Sequence, residues 1–599
     1  MSLAERTQVE IMLAEPHHDG SDEYVLERPK KLGEEAVVRL RIPHGSAPDR
    51  VLLRYERDGE PRGVEAKVDE ETETDVWWRA AFPVWNPVTR YRWLLSGGDV
   101  GYAWVNALGR TTHEVTDADD FVVTAGPQPP AWHLQSVAYQ VFPDRFATSK
   151  LDVATPSWAI PREWDALPTG RGKPTPFELY GGDLRGVEEH LDHIESLGAN
   201  LIYLTPFFPA TSSHRYDATT FDHVDPILGG DEALVSLAEA AHARGIRVIG
   251  DITLNHTGFR HEWFERAKSD VNSVERGFYI FDDAIPGGYE AWLGIPSLPK
   301  LDWRSDELRR RFAGVLRRYL ELGLDGWRVD VANMVGRYRD VDLNRDVSRW
   351  AREEVGDALL IAEHGHDFRP DLGVRGWHGV MNYSGFLRPL WTWLLRDDPE
   401  PEQVKQFWGI AVGVPQLGGT AAVAALRRFR AGVAFESVLH SWNLLDSHDT
   451  ARFRTIAGTP GRHLVGIGLQ MTLPGVPMVF AGDELGQEGQ WGEDARRTMP
   501  WDSIDRWDQG FLDDVRALIA LRRSSEALGR GGLRWAHISD DAIAFLRETK
   551  SERLLCLAAR APHEPIETPF TELETLFGED AAEGVLPSDG PSFHIWRVR

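Results

Sequence analysis

The side chains best suited to acid–base or nucleophilic chemistry follow apolar, strand-like runs of the sequence. They are Asp251 and His256 in the run 251–256, Asp330 after 326–329, Glu363 after 359–362, and His448 and Asp449 in the run 444–449. Two carboxylates at a suitable separation can hydrolyse a glycosidic bond, because one attacks the anomeric carbon while the other protonates the leaving oxygen.

Arg328 lies two residues before Asp330 and therefore on the same strand face. Its permanent charge is expected to keep Asp330 ionised and nucleophilic. The second carboxyl group must instead hold a proton near neutral pH. Asp449 either supplies the repulsion that raises the pKa of that group or binds sugar hydroxyls.

The elements that would position these residues are eight apolar runs, which alternate with amphipathic helical segments such as 234–244 and 307–322. The runs are 137–142, 201–204, 246–249, 326–329, 359–362, 379–381, 442–445 and 476–480. This alternation predicts a parallel sheet, and eight repeats favour a closed β/α barrel, in which the strand ends meet at one mouth. Four strands that end in polar groups are hard to explain as packing, because a buried unpaired charge costs several kcal/mol.

The sequence on both sides of the barrel predicts β structure. Residues 1–125 predict an N-terminal β-sandwich, and the Pro-rich stretch 126–130 a linker. The barrel is placed at 131–525, with an inserted subdomain after the third strand at about 257–301, and a C-terminal β-sandwich at 528–599. The predicted fold class is therefore α/β, an eight-stranded barrel between two sandwiches.

Bulk composition excludes several functions. The net charge of −27 disfavours nucleic-acid and anionic-membrane binding, and the single cysteine, Cys556, excludes a disulfide or a cysteine-based zinc cluster. Neither a signal peptide nor an apolar run of roughly 20 residues is visible. We expect a cytoplasmic protein that needs no cofactor and no metal, and whose partner is an oligosaccharide.

Several motifs resemble the α-amylase family. The runs DITLNH (251–256), GWRVDVAN (326–333), the strand that ends at Glu363, and LLDSHD (444–449) are similar to its four short conserved regions, in the right order. The segment SLPKLD (297–302) is similar to the fifth region of the cyclomaltodextrinase, neopullulanase and maltogenic amylase branch. So are YQVFPDRF (139–146), YGGDLRG (180–186), SHRYD (213–217) and GVPMVFAGDELG (475–486).

The resemblance implies a role for each site residue. Asp330 would be the nucleophile of a retaining reaction, Glu363 the acid/base, and Asp449 the group that grips hydroxyls of the distorted ring. Substrate-binding roles would fall to His214, Tyr216, His256, Arg328, His448 and Arg496. Asp251 is interpreted as a structural residue that supports the loop carrying Asn255.

Three departures from the family pattern affect the walls of the site. Met334 stands where the branch often has a carboxylate, which puts tolerance of α-1,6 linkages in doubt, although Asn333 still favours the cyclomaltodextrinase side. Gly492 replaces an aspartate, so the next sugar would be held by Glu493, by Asp494 or by neither. The loop 147–152 contains Lys150 where calcium needs oxygen ligands, so no calcium is expected there despite Asp183.

The predicted activity is hydrolysis of α-1,4 bonds in cyclic or short linear maltooligosaccharides. A transglycosylase or isomerase of the same superfamily is the alternative, and a non-catalytic sugar-binding relative is the third hypothesis. The N-terminal aromatic residues admit three interpretations: core packing, a lid over the barrel mouth of a partner in a homodimer, or a polysaccharide-binding surface. They are Trp77, Trp78, Trp85, Tyr91, Trp93 and Trp104.

Overall fold

The structure, a computed structural model, describes residues 6–45, 47–398 and 412–599. Residues 1–5, 46 and 399–411, which fall within the predicted N-terminal and barrel domains, lie outside this description. Within it are three separate hydrophobic cores, one under the N-terminal sheets, one in and around the barrel, and one under the C-terminal sheet.

The N-terminal region packs two antiparallel sheets face to face. Its strands are β1 Val25–Glu27, β2 Glu35–Pro43, β3 Arg50–Arg57, β4 Glu60–Glu65, β5 Lys67–Glu71, β6 Asp75–Pro83, β7 Val88–Gly97, β8 Gly101–Asn106, β9 Gly109–Thr111 and β10 Phe121–Thr124. One sheet has the order β1-β2-β6-β5, and the other β4-β3-β7-β8-β9 with β10 on β7. Core packing explains the buried Trp93, Tyr91 and Trp104, whereas Trp85 is 47% exposed.

The central sheet is a closed parallel barrel in chain order, as predicted. Its strands are β11 Ala138–Val141, β12 Leu201–Leu204, β13 Arg247–Thr253, β14 Gly326–Asp330, β15 Leu359–Glu363, β16 Gly379–Met381, β17 Trp442–Leu444 and β18 Val476–Phe480. Nearly every residue of these strands is buried, as expected for a parallel sheet covered by helices. Gly326 opens β14 because a Cβ there would lie 2.4 Å from the Leu359 carbonyl oxygen of β15.

Helices cover the barrel and join the sheets. They are α1 Gln8–Leu13, α2 Pro143–Phe146, α3 Leu184–Glu189, α4 Leu191–Leu197, α5 Gly230–Ala243, α6 Glu262–Ser269, α7 Asp306–Glu321, α8 Asn344–Val355, α9 Arg388–Leu394, α10 Gly419–Arg430, α11 Phe435–Leu439, α12 Phe453–Ala457, α13 Pro460–Thr472, α14 Gly492–Ala495, α15 Gln509–Ser524 and α16 Glu526–Arg530. In α7 the Ser305 hydroxyl caps the Leu308 N–H, and the buried residues follow helical spacing. None of the helices among the described residues could span a membrane.

The C-terminal region is a five-stranded antiparallel sheet of order β19-β20-β21-β23-β22. Its strands are β19 Gly532–Ile538, β20 Ala542–Glu548, β21 Arg553–Ala559, β22 Leu573–Phe577 and β23 Ser592–Val598. A two-stranded pair, Ile566–Glu567 with Val585–Leu586, accompanies it. Cys556 is buried in β21 as a free thiol.

The segment inserted after β13 folds against the barrel mouth. It contains α6, and isolated bridges join His256 to Lys300 and Tyr279 to Leu301, which close its two ends onto each other. His261 begins α6, since its Nδ1 accepts the Trp263 N–H at 3.2 Å.

Replacing His261 by asparagine is expected to make the fold less sensitive to acid. Burial lowers the pKa of His261 to about 3, so the folded protein keeps it neutral while the unfolded chain binds a proton below about pH 6.5. The wild type should therefore lose about 2 kcal/mol of unfolding free energy relative to the variant between about pH 7 and pH 5. Asparagine preserves the helix cap, and urea unfolding at both pH values provides the test. Parallel loss of stability in both proteins would contradict the prediction.

Candidate active site

The two carboxylates singled out from the sequence end neighbouring strands of the barrel. Asp330 is the last residue of β14 and Glu363 the last of β15, and the two strands are parallel and paired at Val329 and Ala362. Both side chains therefore lie at the C-terminal mouth of the barrel, where they are 8% and 7% exposed.

One arginine joins these carboxylates. Arg328 is fully buried, and its Nη1 lies 2.9 Å from Asp330 Oδ1 and 2.9 Å from both Asp251 oxygens. Its Nη2 forms an ion pair with Glu363 Oε2 at 3.0 Å. A planar guanidinium suits this arrangement because it presents several donors in fixed directions.

The charge of Arg328 is shared by three carboxylates, which changes the predicted electrostatics. Burial and the neighbouring Glu363 raise the pKa of Asp330 well above its ordinary value, and Arg328 offsets only part of that rise. Burial also raises the pKa of Glu363, and Arg328 again offsets part of the rise. Arg328 thus lowers the pKa of Asp330 in the expected direction, but burial and Glu363 outweigh it. The two carboxyl groups titrate as a coupled pair that retains a proton to higher pH than an isolated carboxylate.

The backbone after Asp330 takes an unusual conformation. Val331 has φ +37° and ψ +43°, the left-handed region, which a β-branched residue rarely adopts. Its N–H donates to Glu363 Oε2 at 2.7 Å. The strained turn thus fixes the position of Glu363 relative to Asp330.

Tyr216 and His448 stack beside this pair. Their rings are 5.6 Å apart and nearly parallel, and His448 Nε2 lies 2.7 Å from the Tyr216 hydroxyl. On its other side His448 Nδ1 lies 2.6 Å from the amide nitrogen of Gln140. Burial lowers the pKa of His448 to about 3, so the ring is neutral. The ring of His214 lies 5.9 Å from that of Tyr216, at an interplanar angle of 24°.

Asp449 differs from the other two carboxylates. Its Oδ1 lies 3.0 Å from Arg496 Nη2, and Arg496 Nε also donates to the His448 carbonyl. Burial raises the pKa of Asp449, but His448, Arg496 and Arg328 together hold it below its ordinary value. Because His448 is neutral, the positive charges of Arg496 and Arg328 account for this lowering, and Asp449 ionises at lower pH than Asp330 or Glu363.

His256 completes the pocket on the side of the inserted segment. Its Nε2 lies 3.8 Å from Asp330 Oδ2 and has no hydrogen-bond partner among the described residues. The ring of Trp292, from the inserted segment, lies 5.9 Å away. An unpaired buried ring nitrogen next to Asp330 is suited to a substrate hydroxyl.

The structure corrects the role predicted for Asp251. Instead of supporting the loop that carries Asn255, Asp251 binds Arg328 and accepts hydrogen bonds from the hydroxyls of Tyr203 and Tyr216. Asn255 is held by Lys300, whose ammonium donates to the Asn255 side chain at 2.5 Å and to the Met334 carbonyl at 3.0 Å.

Sequence reasoning missed the supporting residues Gln140, Tyr203, Lys300 and Trp292. Gln140 and Tyr203 are the third residues of β11 and β12, and polar groups within such apolar runs were the available signal. Lys300 lies in the SLPKLD motif, which was recognised, but the sequence did not indicate that Lys300 contacts Asn255. No sequence feature pointed to Trp292.

The departures noted at Gly492 and Met334 shape the outer walls. A Cβ at Gly492 would lie 3.0 Å from the Asp449 backbone. The glycine therefore allows the start of α14 to pack close to Asp449. Asp494 pairs with Arg497, which leaves Glu493 as the exposed carboxylate of this loop. Met334 is half-buried and contributes an apolar surface.

Chelation is expected to leave the melting temperature of the protein unchanged. Both oxygens of Asp183 already accept hydrogen bonds from Ser149, and one of them also caps the Gly186 N–H of α3. The Asp183 oxygens therefore have hydrogen-bond partners without a calcium ion. Metal analysis of the purified protein, with thermal melts before and after a chelator, gives the readout. One tightly held calcium per chain, or a lower melting temperature after chelation, would show this prediction to be wrong.

Comparison with known proteins agrees with this geometry. The family "Alpha amylase, catalytic domain" matches residues 140–369. Neopullulanase 2 from Thermoactinomyces vulgaris is 32% identical over 438 residues, which are 71% of this chain and 69% of that protein. The chain belongs to the α-amylase family. This confirms the resemblance noted in its motifs.

Within the α-amylase family, the protein is an α-glucan glycoside hydrolase of the cyclomaltodextrinase and neopullulanase type. A cyclomaltodextrinase from Bacillus sp. is 31% identical over 440 residues, 72% of this chain and 73% of that protein. The cyclic alpha-maltosyl-(1→6)-maltose hydrolase of Arthrobacter globiformis, solved with that sugar, superposes with a TM-score of 0.67. It is 28% identical, and the match covers 79% of this chain and 100% of the other.

Proposed function

We propose that this protein is a retaining hydrolase of α-1,4-glucosidic bonds in cyclic or short linear maltooligosaccharides. The observation that carries the proposal is the bridge from Arg328 to both Asp330 and Glu363. A single guanidinium that contacts both carboxylates favours the short separation of a retaining pair over the wider gap in which an inverting enzyme holds a water.

The reaction begins with one proton shared by the carboxyl pair. Glu363 donates this proton to the departing glycosidic oxygen while the Asp330 carboxylate bonds to the anomeric carbon. Glu363, now ionised, then takes a proton from water, whose oxygen attacks the same carbon and displaces Asp330. Each displacement inverts the configuration of the anomeric carbon, so the product is the α-anomer. The raised pKa values of the pair let it retain the required proton to higher pH than an isolated carboxyl group would.

Substrate contacts come from the groups around this pair. Tyr216 and His256 line the ring position, Tyr216 by stacking and His256 as a neutral hydrogen-bonding group. His448, whose two ring nitrogens contact Tyr216 and Gln140, holds Tyr216 in place. Asp449 accepts hydrogen bonds from ring hydroxyls and stabilises the positive charge that develops in the transition state. Arg496 holds Asp449 in place.

The preferred substrate class follows from the relatives and the walls. A cyclomaltodextrinase and a cyclic tetrasaccharide hydrolase are among the proteins that this chain is similar to. The apolar Met334 offers no carboxylate to an acceptor sugar. We therefore expect faster turnover of γ-cyclodextrin or a small cyclic α-glucan than of pullulan or soluble starch.

A product profile over these four substrates tests the proposal. Short linear maltooligosaccharides released from the cyclic sugars are the expected result, and faster turnover of starch or pullulan would refute the substrate assignment. Incubation with maltotriose separates hydrolysis from transfer, because longer or relinked products would identify a transglycosylase instead.

A homodimer through the N-terminal sandwich remains part of this proposal. Exposed apolar side chains on that sandwich, Val68, Trp85, Val88 and Tyr102, are what a subunit contact needs. Deletion of residues 1–125 should yield a monomer with a weaker preference for cyclodextrin over starch. A truncated protein that is still dimeric in solution and keeps its substrate preference would rule out a dimer formed through this sandwich.

A further inference from the structure

A cavity of about 770 Å³ lies at the junction of the N-terminal segment, the N-terminal sandwich, the barrel helices and the C-terminal sheet. Its walls include Met12 near the end of α1, Gly109 of β9, Val433 between α10 and α11, and Leu533 of β19. None of the candidate active-site residues lines it. The cavity is therefore separate from the barrel mouth.

Two arginines of α10 leave positive charge in this cavity. The guanidinium carbons of Arg427 and Arg430 lie 5.8 and 5.7 Å from the centre of the Trp535 ring. Arg430 Nε donates to the Leu426 carbonyl at 3.1 Å, and neither arginine forms an ion pair within the described part of the chain.

The other charges of the lining have partners. Arg110 pairs with Glu15 at 3.6 Å, and His17 lies 3.8 Å from Asp19. Arg534 pairs with Glu548 at 3.4 Å, although its Nε and Nη1 make no hydrogen bond within the described residues. Arg427 and Arg430 are thus the arginines of the lining that have no ion-pair partner among the described residues.

The free-energy cost of leaving the guanidinium groups of Arg427 and Arg430 without ion pairs favours the binding of an anion from solution. Burial, with repulsion from Arg427 and Arg547, lowers the pKa of Arg430 to about 9. The carbonyl end of α10 favours cations, but by less than an unpaired buried charge costs. The charge of Asp19 in the lining offsets part of the lowering of the Arg430 pKa, but no acidic residue among those described forms an ion pair with Arg427 or Arg430.

We propose that this cavity binds a phosphorylated sugar, with Arg427 and Arg430 holding the phosphoryl group. Guanidinium groups match phosphoryl oxygens in number and direction. The volume far exceeds that of inorganic phosphate, and the side chains of Asn106, Thr111 and Thr112 in the same wall supply amide and hydroxyl partners for sugar hydroxyls.

A ligand bound in this cavity stabilises the folded chain by RT ln(1 + L/Kd), where L is its free concentration. It would not compete with oligosaccharide substrate, because the two sites share no residue.

Calorimetry and thermal melts on the full chain test the proposal with glucose 1-phosphate, glucose 6-phosphate, inorganic phosphate and glucose. At least one sugar phosphate should bind about tenfold or more tightly than either phosphate or glucose, and should raise the melting temperature. A double variant, Arg427→Met with Arg430→Met, keeps the apolar stems over Trp535 and should weaken binding by about tenfold or more.

The matched control is Arg428→Met. Arg428 lies in the same helical turn but pairs with Asp119 and does not line the cavity, so binding should stay within about twofold of the wild type. Should the double variant fail to fold, Arg427→Met alone must weaken binding. Absence of binding by both sugar phosphates, or equal loss in the control, overturns the proposal. Equal affinity for inorganic phosphate overturns the assignment of the sugar.

Discussion

Replacing Asp330 by asparagine is expected to lower kcat on γ-cyclodextrin by roughly 10⁴-fold or more. The amide cannot form the bond to the anomeric carbon, while it fits the same space beside Arg328 and His256. The protein should stay folded, because the change also removes one buried carboxylate whose pKa burial and Glu363 raise. Steady-state kinetics and a thermal melt measure both effects.

The control for this variant is Asp340→Asn, which removes the same charge from an exposed position just beyond the barrel mouth. It should retain wild-type kcat. If Asp330→Asn turned over cyclodextrin at a rate near that of the control, Asp330 would not be the nucleophile. The non-catalytic interpretation of the chain would gain support only if the wild type were equally inactive.

Replacing Arg328 by lysine is the second large effect that we expect. Lysine keeps the charge but cannot contact Asp251, Asp330 and Glu363 together, since it lacks the planar set of donors. We expect kcat to fall by roughly 10²–10³-fold and the unfolding free energy by about 3–5 kcal/mol, the usual cost of breaking a buried ion pair. Urea unfolding and pH–rate profiles give the readouts.

The comparison variant is Arg339→Lys, a change at an exposed arginine whose pairing with Asp282 is at the surface. Its stability and its pH–rate profile should match those of the wild type. A variant at position 328 that behaved the same way would mean that the carboxylates do not depend on a shared guanidinium.

The barrel could be predicted from the sequence because each of its strands is buried on both faces. A parallel strand under helices appears as a short apolar run, and all eight runs became strands of the barrel, from Ala138–Val141 to Val476–Phe480. Polar residues at the ends of those runs were conspicuous for the same reason. Asp330 and Glu363 were found in this way.

The electrostatics of the site could not be predicted in the same way, because they depend on neighbours distant in sequence. Arg328 was assigned to Asp330 by spacing along β14, but Asp251 and Glu363 reach it from β13 and β15. Lys300 meets Asn255 only because the inserted segment returns to the mouth. The left-handed turn at Val331 has no signature in its residue type, which disfavours that conformation.

The proposed catalytic residues and the proposed substrate preference therefore depend on different parts of the chain. Strand ends hold Arg328, Asp330 and Glu363, and the strands fix them relative to one another. The outer walls come from segments between the strands: Met334 after β14, Trp292 in the inserted segment, and Gly492 at the start of α14 after β18. Loops tolerate change more readily than strands, so members of one family can share the reaction and differ in the sugar.

The central claim, a retaining mechanism with Asp330 as nucleophile, is tested most directly by trapping the covalent intermediate. The Glu363→Gln variant should still react with α-glucosyl fluoride, because fluoride departs without a proton, but it lacks the base that activates water for release. Peptide mass spectrometry of the quenched reaction should then show one glucosyl unit attached to Asp330. A glucosyl unit on another residue, or steady release of glucose with no adduct at any time, would contradict the account.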